Sequence, residues 1–241
     1  MDNPKIPSFP YLLGFLLGDG SIFVKIRLTS SGSFLFIPFL VFPQKPSEYN
    51  RHMYTMMSKF FENLGVKCYV TTRKGESASL YIEGLKAVTP LVFLFKEYKG
   101  LGYWKSKNID LLIEFLKYHS AGVQTFKSGL IALLNVLYKY PNDREKSLDE
   151  WVSLANDYFK NVEEGYISGN HLIQPLKGRG AKANEFIAWR AVFPEKVNSY
   201  KNLPIKQFSF STYGSSSKAL EAAIEYRDQV LESILKELAT E

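Results

Sequence analysis

Cysteine is nearly absent: the chain holds a single one, Cys68. One thiol cannot close an internal disulfide or build a cysteine-based zinc site, so neither holds this fold together. Histidine is scarce too. His52, His119 and His171 lie far apart and show no metal-ligand spacing. Long hydrophobic runs are also missing. The apolar stretch from Phe9 to Gly18 is about ten residues, ends at Asp19 and is too short to span a bilayer. No basic segment precedes it, so neither a signal peptide nor a membrane anchor is expected, and the expected location is intracellular.

What is present is enough for a core. The 241 residues are 46% hydrophobic and 15% aromatic, which excludes disorder for most of the chain. The length fits one large domain, or a medium domain plus a small one. Net charge is +6, and its placement matters more than its size. Residues 1–160 carry all of it, and residues 161–241 sum to zero. That zero conceals a split: 177–218 is net +6 and 219–241 is net −4. Two basic regions fit a polyanionic partner; a merely soluble basic protein fits them as well.

The pattern predicts a helix from Phe9, capped by Ser8 and broken at Gly20. In 21–29, Ile22, Val24, Ile26 and Leu28 alternate with Ser21, Lys25, Arg27 and Thr29, a half-buried strand. A turn at 30–33 leads to a second strand, 34–42, apolar on both faces and interrupted by Pro38. A second helix over 47–64 and strands over 67–73 and 77–83 follow. Helices are then expected at about 84–96, 106–119, 126–140 and 147–160. The order is αββαββα with extra helices: an α+β domain over 1–160, its antiparallel sheet covered by helices on one side. The other side would carry Lys25, Arg27, Thr29, Arg73, Ser79 and Tyr81. Residues 161–188 read as a linker or as a segment that orders on binding. A small domain over 189–241 would hold strands at 189–193 and 206–214 and a helix at 218–238. No internal repeat is present.

The segment Leu12-Leu13-Gly14-Phe15-Leu16-Leu17-Gly18-Asp19-Gly20-Ser21 carries the chemistry. Gly14 and Gly18 share a helix face, at a cost of about 1 kcal/mol each relative to alanine. Asp19 sits at the helix C-terminus, where the dipole already disfavours a negative charge. An apolar helix followed by an ordinary Asp-Gly turn fits these facts. So does a closely packed helix pair that delivers carboxylates to a metal ion.

This segment resembles the LAGLIDADG motif of homing endonucleases, and the order of elements to about residue 160 is similar to that family's. The motif occurs once, which implies the single-motif branch: a homodimer, paired through Gly14 and Gly18, cutting long near-palindromic double-stranded DNA. The resemblance makes Asp19 the ligand of Mg²⁺ (or another divalent cation such as Mn²⁺), with the Gly18 carbonyl beside it. Leu17 stands where the family often has a second acid that is not a metal ligand. Val41-Phe42-Pro43-Gln44-Lys45 is similar to the end of the family's second strand, which implies that Gln44 organises water. Gly102-Tyr103-Trp104-Lys105-Ser106-Lys107 resembles a later segment, which implies Lys105 near the scissile phosphate. Arg51 fills the place of a basic residue early in the second helix.

The open sheet face would read base edges in the major groove. There the second strand offers Leu35, Ile37, Phe39 and Val41 where the family often places polar residues. They contact thymine methyls, or the register differs, or the face packs on the chain's own C-terminal part. At the C-terminus, Trp189-Arg190, the stretch 208–214 and the helix from Lys218 resemble the plant ethylene-response-factor type DNA-binding domain, a three-stranded sheet on one helix. The resemblance implies that Arg190, Lys206 and Gln207 contact DNA; a structural cap is the other reading. The family also implies two alternatives to a nuclease: an intron-RNA maturase, or a non-cleaving DNA-binding regulator. Asp19, Gln44 and Lys105 argue against the regulator, since a binder needs none of them. A mobile-intron setting follows from the same resemblance, with an organelle or a bacterial or phage cytoplasm as its compartment.

Overall fold

Gly20 decides where the first helix ends. A side chain there would meet the Leu16 carbonyl oxygen at 2.6 Å and its Cα at 2.8 Å. Only a residue without a Cβ lets the chain turn this tightly into the next strand. The computed structural model describes residues 8–45, 47–73, 77–97, 106–139, 145–166, 171–203 and 205–240. Their order is α1 (Phe9–Gly18), β1 (Ser21–Leu28), β2 (Phe34–Gln44), α2 (Glu48–Asn63), β3 (Tyr69–Arg73), β4 (Ser77–Glu83), α3 (Leu85–Glu97) and α4 (Ser106–Ser120). Then come α5 (Lys127–Tyr138), α6 (Leu148–Glu164), β5 (Ile173–Lys177), β6 (Phe186–Ala191), α7 (Glu195–Lys201), β7 (Lys206–Ser209), α8 (Phe210–Tyr213) and α9 (Ser216–Thr240). The chain divides within α4 into two compact units, Met1–Leu116 and Lys117–Glu241.

The first unit is built on an antiparallel four-stranded sheet in the order β1-β2-β4-β3. Strand alternation turns Ile22, Val24, Leu40, Phe42, Leu80 and Ile82 to one side, and all are buried. Leu12, Leu13 and Leu16 of α1 and Met53, Met57 and Phe61 of α2 are buried as well. Aromatic contacts tie helices to that side: Phe42 lies 6.0 Å from Phe15 and 5.8 Å from Phe61, and Phe36 lies 6.1 Å from Phe115. The Tyr54 hydroxyl is within hydrogen-bond distance of the carbonyls of Phe42 (2.9 Å) and Ala78 (2.8 Å), one on each central strand. Burial, helped by Tyr81, pushes the Tyr54 phenol up to about 12, so it stays a donor at neutral pH.

The second unit has its own antiparallel sheet, β5-β6-β7. Helix α9 packs on one face of it through Ala219, Ala223 and Tyr226; Trp189 Nε1–H donates to the Ser216 carbonyl at 3.0 Å. Helices α5 and α6 also belong to this unit, and α5 packs on α6 and on α9. Ser147 and Glu150 form a reciprocal capping box that fixes the start of α6.

The structure corrects the sequence reading in two places here. The stretch expected as a linker holds the end of α6, all of β5 and the start of β6. Leu172 and Ile173 are buried there, and their pairing with β6 outweighs the local Gly and Asn content. The strand expected over 206–214 stops at Ser209. Phe210 leaves it to lie 6.1 Å from Trp189, and Gly214, at φ 78°, ends the short helix that follows.

Candidate active site and nucleic-acid interface

Two of the expected site residues come together. Asp19 caps the C-terminus of α1, its backbone N–H bonded to the Phe15 carbonyl at 3.0 Å. Gln44 ends β2, opposite Ala78 of β4. Its Nε2 donates to Asp19 Oδ2 at 3.4 Å, joining residues distant in sequence. Asp19 is exposed and Gln44 half-buried, so the carboxylate is free to take a further partner. No basic residue lies in the last turn of α1, so the helix itself supplies no counter-charge.

The face of α1 beside this site is open. Leu12, Leu13 and Leu16 point inward, whereas Tyr11, Gly14 and Gly18 are exposed. A methyl group placed on Gly14 or Gly18 would touch nothing within 4 Å among the described residues. Among the described residues, then, no neighbouring side chain or strand crowds the Cβ position of either glycine. Arg51 lies exposed in the first turn of α2, and among the described residues its guanidinium bonds to neither Asp19 nor Gln44. Lys105 falls outside the described residues.

Donor chemistry suits a hard divalent cation. An exposed carboxylate, the carbonyl end of a helix and a side-chain amide are oxygen ligands, and Mg²⁺ is commonly held by one or two carboxylates with water and phosphate completing the shell. Among the described residues no three His, Cys, Asp or Glu side chains converge. Asp19 and the Gly18 carbonyl are the groups that would hold the ion.

The register places the expected reading residues. Directly opposed residues share a face, so the face turned away from Leu40 and Phe42 carries Arg27 opposite Leu35, Lys25 opposite Ile37, and Phe23 opposite Phe39; Phe39 and Val41 are buried on it. Next to these, Tyr81 lies between Val41 and Tyr69, and Ser79 between Pro43 and Thr71. Arg27 is exposed and Lys25 half-buried. Tyr81 is stacked on Tyr69 with ring centroids 5.4 Å apart. Tyr69 in turn donates to the Glu83 carboxylate at 2.5 Å; desolvation and that acceptor push its phenol up to about 12. Ser79, expected to be open, is buried between its larger neighbours. Thr29 lies just past β1, where its hydroxyl accepts from the Ser33 N–H at 3.0 Å and holds the turn. Arg73 pairs with Ser77 at the far end of β3.

In the second unit the row Gln174–Arg190–Gln207 crosses β5, β6 and β7. Arg190 Nη2 donates to Gln174 Oε1 at 3.1 Å, and its buried Nε has no hydrogen-bond partner among the described residues. The row faces away from α9, because the neighbouring positions Trp189 and Phe208 are the ones buried against that helix. Lys206 belongs to the α9 side instead: its ammonium sits 4.4 Å from the Tyr226 ring centroid and 5.6 Å from that of Phe208. Gln174 was not foreseen. Its signal, the alternation in Ile173-Gln174-Pro175-Leu176-Lys177, is short, centred on a proline and set in a loop-like stretch.

No protein-family model matches the chain. No curated protein matches it either. Solved structures do. The archaeal intron-encoded homing endonuclease I-Vdi141I, complexed with DNA, is 19% identical with a TM-score of 0.52, over 62% of this chain and 95% of that one. The homing endonuclease I-TnaI is 17% identical with a TM-score of 0.53, over 63% and 99%. I-CvuI, in complex with a DNA target in the presence of Mg, is 13% identical with a TM-score of 0.51, over 63% and 94%. At these identities the likeness is one of fold, and the fold this chain shares is that of the homing endonucleases.

Proposed function

We propose that the chain is a metal-dependent, sequence-specific endonuclease that cuts both strands of a long near-palindromic DNA site as a homodimer. The observation that carries this reading is Asp19 exposed at the end of α1, joined to Gln44 and flanked by the open Gly14–Gly18 face. A second copy of α1 packed on that face would set two Asp19 carboxylates side by side. The four-stranded sheet, open on one face around Arg27, Leu35, Lys25 and Ile37, is the element that would enter the major groove. Its fold likeness to proteins solved with DNA points the same way.

When bound, Mg²⁺ or a similar ion neutralises phosphate charge and lowers the pKa of water. The rest falls to the chain's own side chains. Asp19 and the Gly18 carbonyl would hold the ion. Gln44, anchored at the end of β2, both orients Asp19 and offers its amide to a water at the phosphate. Lys105 and Arg51 add positive charge to the phosphate as negative charge grows on it. In the second unit, Arg190 and Gln207, with Gln174 fixing the guanidinium, supply a further DNA contact on the face opposite α9. The protein would act inside the cell, where its duplex lies.

Selection from a random duplex library with Mg²⁺ tests this. The unmodified chain should enrich and cut one near-palindromic site, and Asp19→Asn should bind that site without cutting it. Tight binding by the unmodified chain with no cut would refute the enzyme reading.

A further inference from the structure

Strand β2 is apolar on both sides, yet its outward side is not covered throughout. Leu35 is 46% exposed and Ile37 half-buried, and both lie on the face that carries Arg27 and Lys25. Single exposed leucines are common and need no explanation. Here two branched apolar side chains occupy successive same-face positions, each directly opposite a cation. Next to them on the same face, Phe23 and Phe39 stack at 5.1 Å with planes 16° apart and continue the apolar strip.

We propose, resting on the DNA reading above, that Leu35 and Ile37 select thymine by contact with its 5-methyl group. Neither side chain can donate or accept a hydrogen bond. The major groove presents one apolar group, and it is the thymine methyl. Arg27 and Lys25 make the occupant a polyanion, and they can take the purine edges or phosphates beside those thymines. RNA fits worse, because uracil lacks the methyl and the A-form major groove is too narrow for side chains to read. Same-face residues two apart on a strand are separated by roughly 6.8 Å, about two base-pair steps. The two thymines should therefore lie about two base pairs apart. They belong to the outer part of each half-site, since Leu35 and Ile37 lie toward the end of β1 remote from Asp19.

Deoxyuridine removes the methyl and leaves base pairing unchanged. The site selected from the random library is remade with deoxyuridine at one thymidine at a time, and affinity is measured without divalent cation so that no strand is cut. Two positions per half-site should weaken binding, each about four-fold, the worth of one buried methyl. Leu35→Ala should abolish the sensitivity at one of them and Ile37→Ala at the other. Equal affinity for thymidine and deoxyuridine at every position overturns the proposal, as does full sensitivity retained in both variants. A chain that retains no duplex at all overturns the DNA reading and this proposal together. The two failures are thus distinguishable.

Discussion

The two sheets of this molecule solve one problem in different ways. In the first unit the central strand β2 has no polar side chain between Phe34 and Phe42, so the open face is apolar at its middle and cationic toward β1. In the second unit α9 takes the apolar face, and the opposite face carries a polar row across every strand. The first surface suits shape and methyl contact, and the second suits hydrogen bonding. The contrast shows that a basic balance says little about how bases would be read. The strand positions opposite the cations say more.

The comparison is best broken at the chemistry first. Asp19→Asn keeps the shape of the first unit and removes its charge, so cleavage should fall by on the order of 10³-fold with binding kept. Parallel loss of binding and cleavage would mean that Asp19 holds the fold. A bulky residue on the α1 face comes next. A Cβ on Gly18 meets nothing within 4 Å among the described residues, so Gly18→Leu should leave the monomer folded and its circular dichroism unchanged. Sedimentation should nevertheless show the dimer lost. Arg190→Ala tests the second surface. It should weaken site affinity by about 1–3 kcal/mol and relax specificity at one base, while cleavage at saturating protein is unchanged. Unchanged affinity would leave the second sheet as a structural cap.

A smaller effect separates the units by pH. Burial, with Lys196 nearby, lowers His119 to about 4, and burial with Arg227 nearby lowers His171 to about 4. Both lie in the second unit. A histidine held neutral in the folded state binds its proton only on unfolding. Stability is therefore fully present above the unfolded value near 6.5 and is lost as pH falls toward 4. The second unit should melt lower at pH 5 than at pH 7. His119→Gln should recover about 1–2 kcal/mol of that loss.

Most of the first unit was legible because β1 and β4 alternate cleanly and α1 and α2 end at glycines. The motif resemblance led to Asp19 and Gln44, and the structure brings them together although 25 residues separate them. The second unit was legible in its helix and less so elsewhere. β5 is five residues with a proline in its middle, so its pairing with β6, not its own propensity, makes it a strand. Gln174 stayed hidden for the same reason. The resemblance groups Lys206 with Arg190 and Gln207 as DNA contacts, but alternation turns Lys206 to Tyr226. Thr29 continues the strand pattern by one residue, and the turn claims its hydroxyl first.

The central claim is that two copies of α1 meet across their open glycine face and bring two Asp19 carboxylates to one duplex. The mass of the protein bound to its selected site, measured with Ca²⁺ in place of Mg²⁺, tests it most directly. The account predicts two 27.5 kDa chains per duplex. One chain per duplex, on a site that the same protein cuts through both strands in Mg²⁺, would contradict it.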